Sequence, residues 1–221
     1  MRGRSKRYVL SRATRRALLG SSAFLPFAYG VLGASSAVAQ AVNLGHIATN
    51  SIVPDGRTAT HITVKGNVTD IRTSTFRGGN AYNSFSTFTE AAGNTVNLFV
   101  PNKAANLVNI VRNGAVDIEG TLNAYQNGKI GGNVVFADSY GMVVGKSGAI
   151  NVGGLTVVTP SGATLDSLID SKGHVNAALA EQVIAGNVPL SPDGSVLIKG
   201  KINAQNFVAI TAHDVKVENE L

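Results

Sequence analysis

The 221-residue chain contains no cysteine. Without disulfides it must be held by a packed core, and the roughly 180 residues beyond the first forty are enough to build one. Charge is scarce as well, with 14% of residues Asp, Glu, Lys or Arg. The outward faces must therefore be dressed with Asn, Thr, Ser and Gly, which suits stacked β-coils better than an α/β enzyme. His46, His61, His174 and His213 are scattered without metal-ligand spacing. With no thiol to assist them, neither a metal site nor a cofactor is expected. The apolar run from Ala17 to Leu32 falls short of the ~20 residues needed to span a bilayer.

What is abundant at the start is positive charge. Arg2, Arg4, Lys6, Arg7, Arg12, Arg15 and Arg16 precede that apolar run with no acid among them, and Ala37-Val38-Ala39 then places small residues where a signal peptidase reads. Residues 1–39 are therefore read as a signal peptide cleaved after Ala39, with Ala37 and Ala39 as the recognised pair. Removing its seven basic residues leaves 12 against 13 acidic ones, so the overall charge of +6 gives no ground for expecting nucleic acid as a partner. Thr14-Arg15-Arg16-Ala-Leu-Leu also resembles a twin-arginine signal, which leaves the inner-membrane route open.

Beyond the leader the organising pattern is alternation between glycines. Met142, Val144, Ile150, Val152, Thr156 and Val158 occupy alternate positions, which predicts short strands joined by tight turns with these six facing inward. Three segments share one frame of Gly, aliphatic pair and Gly: Gly114 to Gly120, Gly148 to Gly154, and Gly194 to Gly200. Such recurrence predicts coils of an all-β solenoid stacking their aliphatics into a common core. Ile47, Ile52, Ile62, Val64 and Val68 are expected to face inward from capping strands that close its first end, after the turn Pro54-Asp55-Gly56. Tyr82, Phe85 and Phe88 are read as packing residues in preference to a carbohydrate platform. The run Ala104 to Val111 fits a short helix or a buried strand equally well. Helical spacing of Leu165, Leu168, Ile169, Val175, Leu179, Gln182 and Val183, with Gly173 between and Gly186 after, predicts a helical excursion. Asp166 and Asp170, at i and i+4, are expected in solvent.

Several stretches together resemble the N-terminal secretion domain of two-partner-secreted filamentous haemagglutinins and leukotoxin-like filamentous adhesins. They are Asn83-Ser-Phe-Ser-Thr-Phe88, Gly93 to Asn109, Asn127-Gly-Lys-Ile-Gly-Gly-Asn-Val134 and Tyr140 to Leu155. The resemblance implies a right-handed parallel β-helix in a Gram-negative bacterium. It also implies recognition by an outer-membrane transporter with periplasmic domains, then folding outside the cell or on its surface. Of the family's two Asn-Pro-Asn turns, the first matches at Pro101 and Asn102. The second position reads Asp138-Ser139-Tyr140-Gly141, where Asp138 can still head the turn.

The division expected is a signal peptide over 1–39, the secretion β-helix over 40–162, the helical excursion over 163–187, and further coils over 188–221 that continue in a longer adhesin. Such an adhesin is expected to meet a host-cell surface ligand, and the transporter's periplasmic domains to be met by strand addition at an exposed edge of the unfolded or partly folded domain. The chain is not expected to be an enzyme. The alternative kept beside this reading is a β-helical polysaccharide lyase or hydrolase using Asp117 and Glu119, which flank Ile118 and project from one strand face.

Overall fold

A computed structural model describes residues 49–218 and the backbone of Lys6–Leu10. The described residues form seventeen strands and two helices in one large sheet system. In order these are β1 (Lys6–Leu10), β2 (Ser51–Pro54), β3 (Thr60–Lys65), β4 (Val68–Thr73), β5 (Phe76–Arg77), β6 (Asn80–Glu90), β7 (Thr95–Phe99), β8 (Asn106–Val111) and β9 (Val116–Ile118). They continue as β10 (Thr121–Gln126), β11 (Lys129–Ile130), β12 (Asn133–Asp138), β13 (Gly141–Val144), β14 (Ala149–Val158), α1 (Gly162–Leu168), α2 (Ala177–Ile184), β15 (Ser195–Ile198), β16 (Lys201–Ala212) and β17 (Asp214–Val217). The Ala37–Ala39 cleavage expectation and Ile47 lie outside the described residues.

Three parallel ladders make the solenoid. The first face stacks β4, β7, β10 and the leading halves of β14 and β16. The second stacks β6, β8, β12 and the trailing halves of β14 and β16. The third runs from the end of β6 through β9, β13, β15 and β17. Parallel strands, each covered by the coils before and after it, need a core on their inner side, and alternation supplies it. Leu98, Leu122, Val134, Phe136, Val144, Ile150 and Val152 are all fully buried in one continuous column. Phe85, Phe88 and Phe136 meet edge to face within it, with centroids 5.2 and 5.4 Å apart. Tyr82 is also fully buried, on the other side of β6. These aromatics are packing residues, and the run Ala104 to Val111 is a strand.

The expected inward set needs one correction. Met142, Val144, Ile150 and Val152 enter the column, but Leu155 and Val157 follow them there, while Val158 lies against the helices. The chain turns the corner between faces at Gly153 and Gly154, where the ladder to β16 shifts register. An odd step at a corner exchanges inner for outer, so Thr156 and Val158 face away from the column. The three glycine frames are likewise not equivalent: those of Gly114 and Gly194 precede β9 and β15 on the third face, and that of Gly148 precedes β14 on the first.

The N-terminal end is closed. β3 pairs antiparallel with β4, β2 with the far half of β6, and β5 with its start. The parallel edge of the first coil is thus covered by antiparallel strands. Ile52 and Ile62 pack against the column, whereas Val64 is 64% exposed. Inside this end, Thr60 donates to Asn83, Asn83 to Asn109 and Asn109 to the Val135 carbonyl, so two fully buried amides are satisfied. At the other end β1 pairs antiparallel with β16.

The helices cover the outer side of the second face. Leu165, Leu168, Ile169, Ala180 and Val183 pack on Tyr82, Val108, Ile110, Val135, Ala137 and Val158. Ser161 caps α1 by accepting from the Thr164 amide, and Asn176 caps α2 by accepting from Leu179. α2 stops at Gly186, whose φ of +72° lets the Asn187 and Gly186 amides donate back to the Gln182 and Val183 carbonyls. Among the described residues no helix is long and apolar enough to cross a membrane.

Candidate functional site

The turn residues read from sequence lie at two different corners. Pro101 and Asn102 join the first face to the second between β7 and β8, and the turn is closed by the Ala104 amide donating to the Pro101 carbonyl at 2.9 Å. It rests on the next coil. Gln126 donates to the Pro101 and Ala104 carbonyls, and Asn102 accepts from the Asn127 amide at 3.2 Å. That neighbour is the β10–β11 hairpin, where Asn127 and Gly128 both take positive φ.

Asp138, Tyr140 and Gly141 form the corner between β12 and β13. One Asp138 oxygen accepts from the Tyr140 amide at 2.7 Å and the Gly141 amide at 3.4 Å, so Asp does here what an Asn would do at the head of the turn. Gly141 has φ of +110°, and a Cβ there would meet the Ser195 carbonyl at 1.7 Å. Tyr140 is 48% exposed. The two turns are separated by the width of the second face, roughly 20 Å for six residues of strand. They present two surfaces, not one pocket.

The framing glycines mark close approach of the coils. Gly120, Gly148 and Gly200 stack at one corner, and a Cβ on them would meet backbone carbonyls of the preceding coil at 2.5, 2.2 and 2.2 Å. Gly154 sits against the Phe207 ring and Gly194 against Thr159, while Gly114 occupies an open turn.

Two buried carboxyls give the fold a pH signature. Glu90 is fully buried and Asp138 nearly so, and among the described residues neither carboxyl has a cation beside it. Burial pushes Glu90 from its ordinary 4.5 up to about 8, against the pull of the Val96 and Thr121 amides. It pushes Asp138 from 3.8 up to about 7, against the Tyr140, Gly141 and Val116 amides. Each binds its proton more tightly folded than unfolded. Their contribution is therefore complete below about pH 4 and is lost as pH rises through about 7 and then about 8. The urea midpoint should fall between about pH 5 and about pH 9. Glu90→Gln should remove the upper part of that fall and leave the part near Asp138. A midpoint that climbs toward alkaline pH contradicts this assignment.

Sequence reasoning missed the outer side of the first face. Asn97 donates to Asp70, Asn123 to Asn97, Asn151 to Asn123 and Asn203 to Asn151, at 2.8, 3.2, 2.9 and 2.9 Å. The signal was an aliphatic-Asn-aliphatic triplet returning at Asn97, Asn123, Asn151 and Asn203. Beside this ladder the Arg72 guanidinium lies 3.4 Å from the centre of the Phe99 ring, and Phe99 stacks on Tyr125. These residues and the Pro101–Asn102 turn line one open groove of about 700 Å³.

The sequence profile of the TPS secretion domain matches residues 50–220, the same stretch that winds the solenoid. The chain belongs to the TPS secretion domain family. No curated protein matches the chain. As a TPS secretion domain it is a substrate of two-partner secretion, exported with an outer-membrane transporter as its partner. The family is one of secretion, not an enzyme family. Of Asp117 and Glu119 in this TPS domain, one Asp117 oxygen is buried, Glu119 accepts from Ser147 at 2.9 Å, and its carboxylate fills the space over Gly145. Among the described residues no cluster of three or more His, Asp or Glu could hold a metal ion.

Proposed function

We propose that this chain is the N-terminal region of a secreted filamentous adhesin, with the β-helix over 40–162 as its export signal, the excursion over 163–187, and the coils over 188–221 as the start of the displayed rod. The leader over 1–39 takes it to the periplasm. There the periplasmic domains of the transporter recognise the Pro101–Asn102 corner and the Asp138–Gly141 corner, and each coil then folds on the last outside the cell. Stacking supports that order, because in a solenoid the nearest-neighbour interface carries most of the stability. The host-cell surface ligand belongs to the displayed coils.

The observation that carries the reading is the family match over residues 50–220 together with Asn102 and Tyr140 standing exposed on tightly built corners. Co-expression with the outer-membrane transporter tests it. Changing Pro101→Ala together with Asn102→Ala removes two exposed or half-exposed side chains and should move the unfolding midpoint by only a few degrees, since surface changes of this kind cost about 1 kcal/mol or less. The protein released into the medium should nonetheless fall about tenfold, a loss of about 1.4 kcal/mol in recognition. Release at the unaltered level would remove the Pro101–Asn102 corner from the recognition surface.

A further inference from the structure

Residues 161–189 leave the solenoid and return to it at one point. The Ser161 amide donates to the Pro189 carbonyl at 2.9 Å and the Ser191 amide to the Thr159 carbonyl at 2.8 Å, while Pro160 and Leu190 face each other in an antiparallel bridge. The two helices therefore hang from a neck two chain segments wide. Their apolar residues cluster with the outer side of the second face, and that cluster shares no member with the inner column. The column, in turn, takes no residue between Val157 and Val196. The coils can thus stack without the helices.

The converse does not hold. α1 has seven residues and α2 eight, below the ~12–15 at which an isolated helix becomes stable in water. Leu165, Leu168, Ala180 and Val183 find cover on a strip made by Tyr82 on β6, Ile110 on β8, Val135 on β12 and Val158 on β14, so four successive coils must be laid before there is a surface to fold upon. Once down, the helical segment reaches the N-terminal cap. Arg57, between β2 and β3, donates to Asp166 at 3.1 Å and to the Ile169 carbonyl at 3.0 Å. A Cβ on Gly173 would meet the Arg57 carbonyl oxygen at 2.7 Å, and one on Gly78 would meet the Ala177 Cβ at 2.8 Å. We infer that residues 161–189 are a hinged strap that docks only after the coils have stacked and then fastens the cap. The first part of the fold is thus completed by residues more than a hundred positions later, once the fourth coil is in place. This goes beyond the export reading and does not depend on it.

Hydrogen exchange read by mass spectrometry on the purified chain, in increasing urea, tests the strap. Peptides from 163–187 and from the β2–β3 turn at 55–58 should share one opening, reached at lower urea than that of β8 and β12. In pulse labelling during refolding, β6, β8 and β12 should gain protection before either. Asp166→Asn removes the charge that receives both Arg57 and Arg112; it should speed exchange about fivefold in both segments and leave β8 and β12 unchanged. Leu168→Asp puts a carboxylate at a fully buried position of the strap. It should leave the coil strands protected, the cap turn labile and the uncovered strip open to a dye that binds apolar surface. Exchange of 163–187 only together with β8 and β12 would overturn the inference. So would a cap turn that stays protected while the strap is open, or a Leu168→Asp chain whose coils are lost with its helices.

Discussion

Val152→Asp is expected to abolish both the folded β-helix and export. Val152 is fully buried in the first-face part of the apolar column, in register with Ala204 of the following coil. A carboxylate there has no cation and no route to water. It must stay charged at high cost or take up a proton at several kcal/mol, against a whole-domain stability of about 5–15 kcal/mol. Because each coil is a template for the next, the loss spreads to both neighbours. Val152→Ala is the control: it removes two methyl groups and should cost roughly 2–3 kcal/mol while leaving a cooperative transition. The measurements are far-ultraviolet circular dichroism with urea titration, and the amount of chain in the medium beside its transporter. A Val152→Asp chain that unfolds within a few degrees of the unaltered one would mean that the aliphatics do not form a load-carrying column.

Arg112→Met should cause the next largest loss, roughly 3–5 kcal/mol. Arg112 follows β8, and its side chain is 11% exposed. Its Nε lies 2.9 Å from Asp55, whose side chain is 9% exposed and also accepts from Ser84 and the Arg57 amide. The same guanidinium donates to Asp166 and to the Leu165 and Ile169 carbonyls, and Arg57 reaches Asp166 and Ile169 from the cap. One side chain thus ties the N-terminal cap, the second coil and the end of α1. Burial pulls its pKa down and Asp55 pushes it back up, so the pair stands on mutual compensation. Removing the cation takes from the mostly buried Asp55 its nearest charge, leaving Arg57 at 3.7 Å, and takes one donor each from the Leu165 and Ile169 carbonyls. A double-mutant cycle with Asp55→Asn should show a coupling of about 2 kcal/mol or more, and the segment 163–187 should become the first site of proteolysis. Stability within about 1 kcal/mol of the unaltered chain would show the network to be ornament on the surface.

Asp166 illustrates where local reading stops. It is 67% exposed, as spacing with Asp170 led one to expect, yet it receives two guanidinium groups. Its partners lie 109 and 54 residues away, and no helix periodicity points to them. Asp170 behaves as a local residue: it accepts from the Lys172 and His174 amides and the His174 ring, and these hold its carboxyl at about 2. The candidate site divides in the same way. The corner at Asp138 was legible because an Asx turn closes within three residues. The Arg72–Phe99–Tyr125 stack was not, because its members meet only when coils lie one on another.

By itself the sequence determined that the chain winds β-coils. Alternating aliphatics recurring in one glycine frame are buried by stacking coil on coil, and Gly148 and Gly200 fit where they do because they lack the Cβ that would strike the carbonyl of the coil below. The secretion-domain likeness and the two helices of the excursion were equally available from residue patterns. Only the tertiary structure decided which side of β14 after the corner faces the column, how the first end is closed, and which charges are paired. The reason is that alternation relates residues within one strand, and a single odd step at Gly153–Gly154 erases that relation across the corner. Contacts between coils depend on stacking registers of 26, 28 and 52 residues, and chain winding, not local preference, sets those distances.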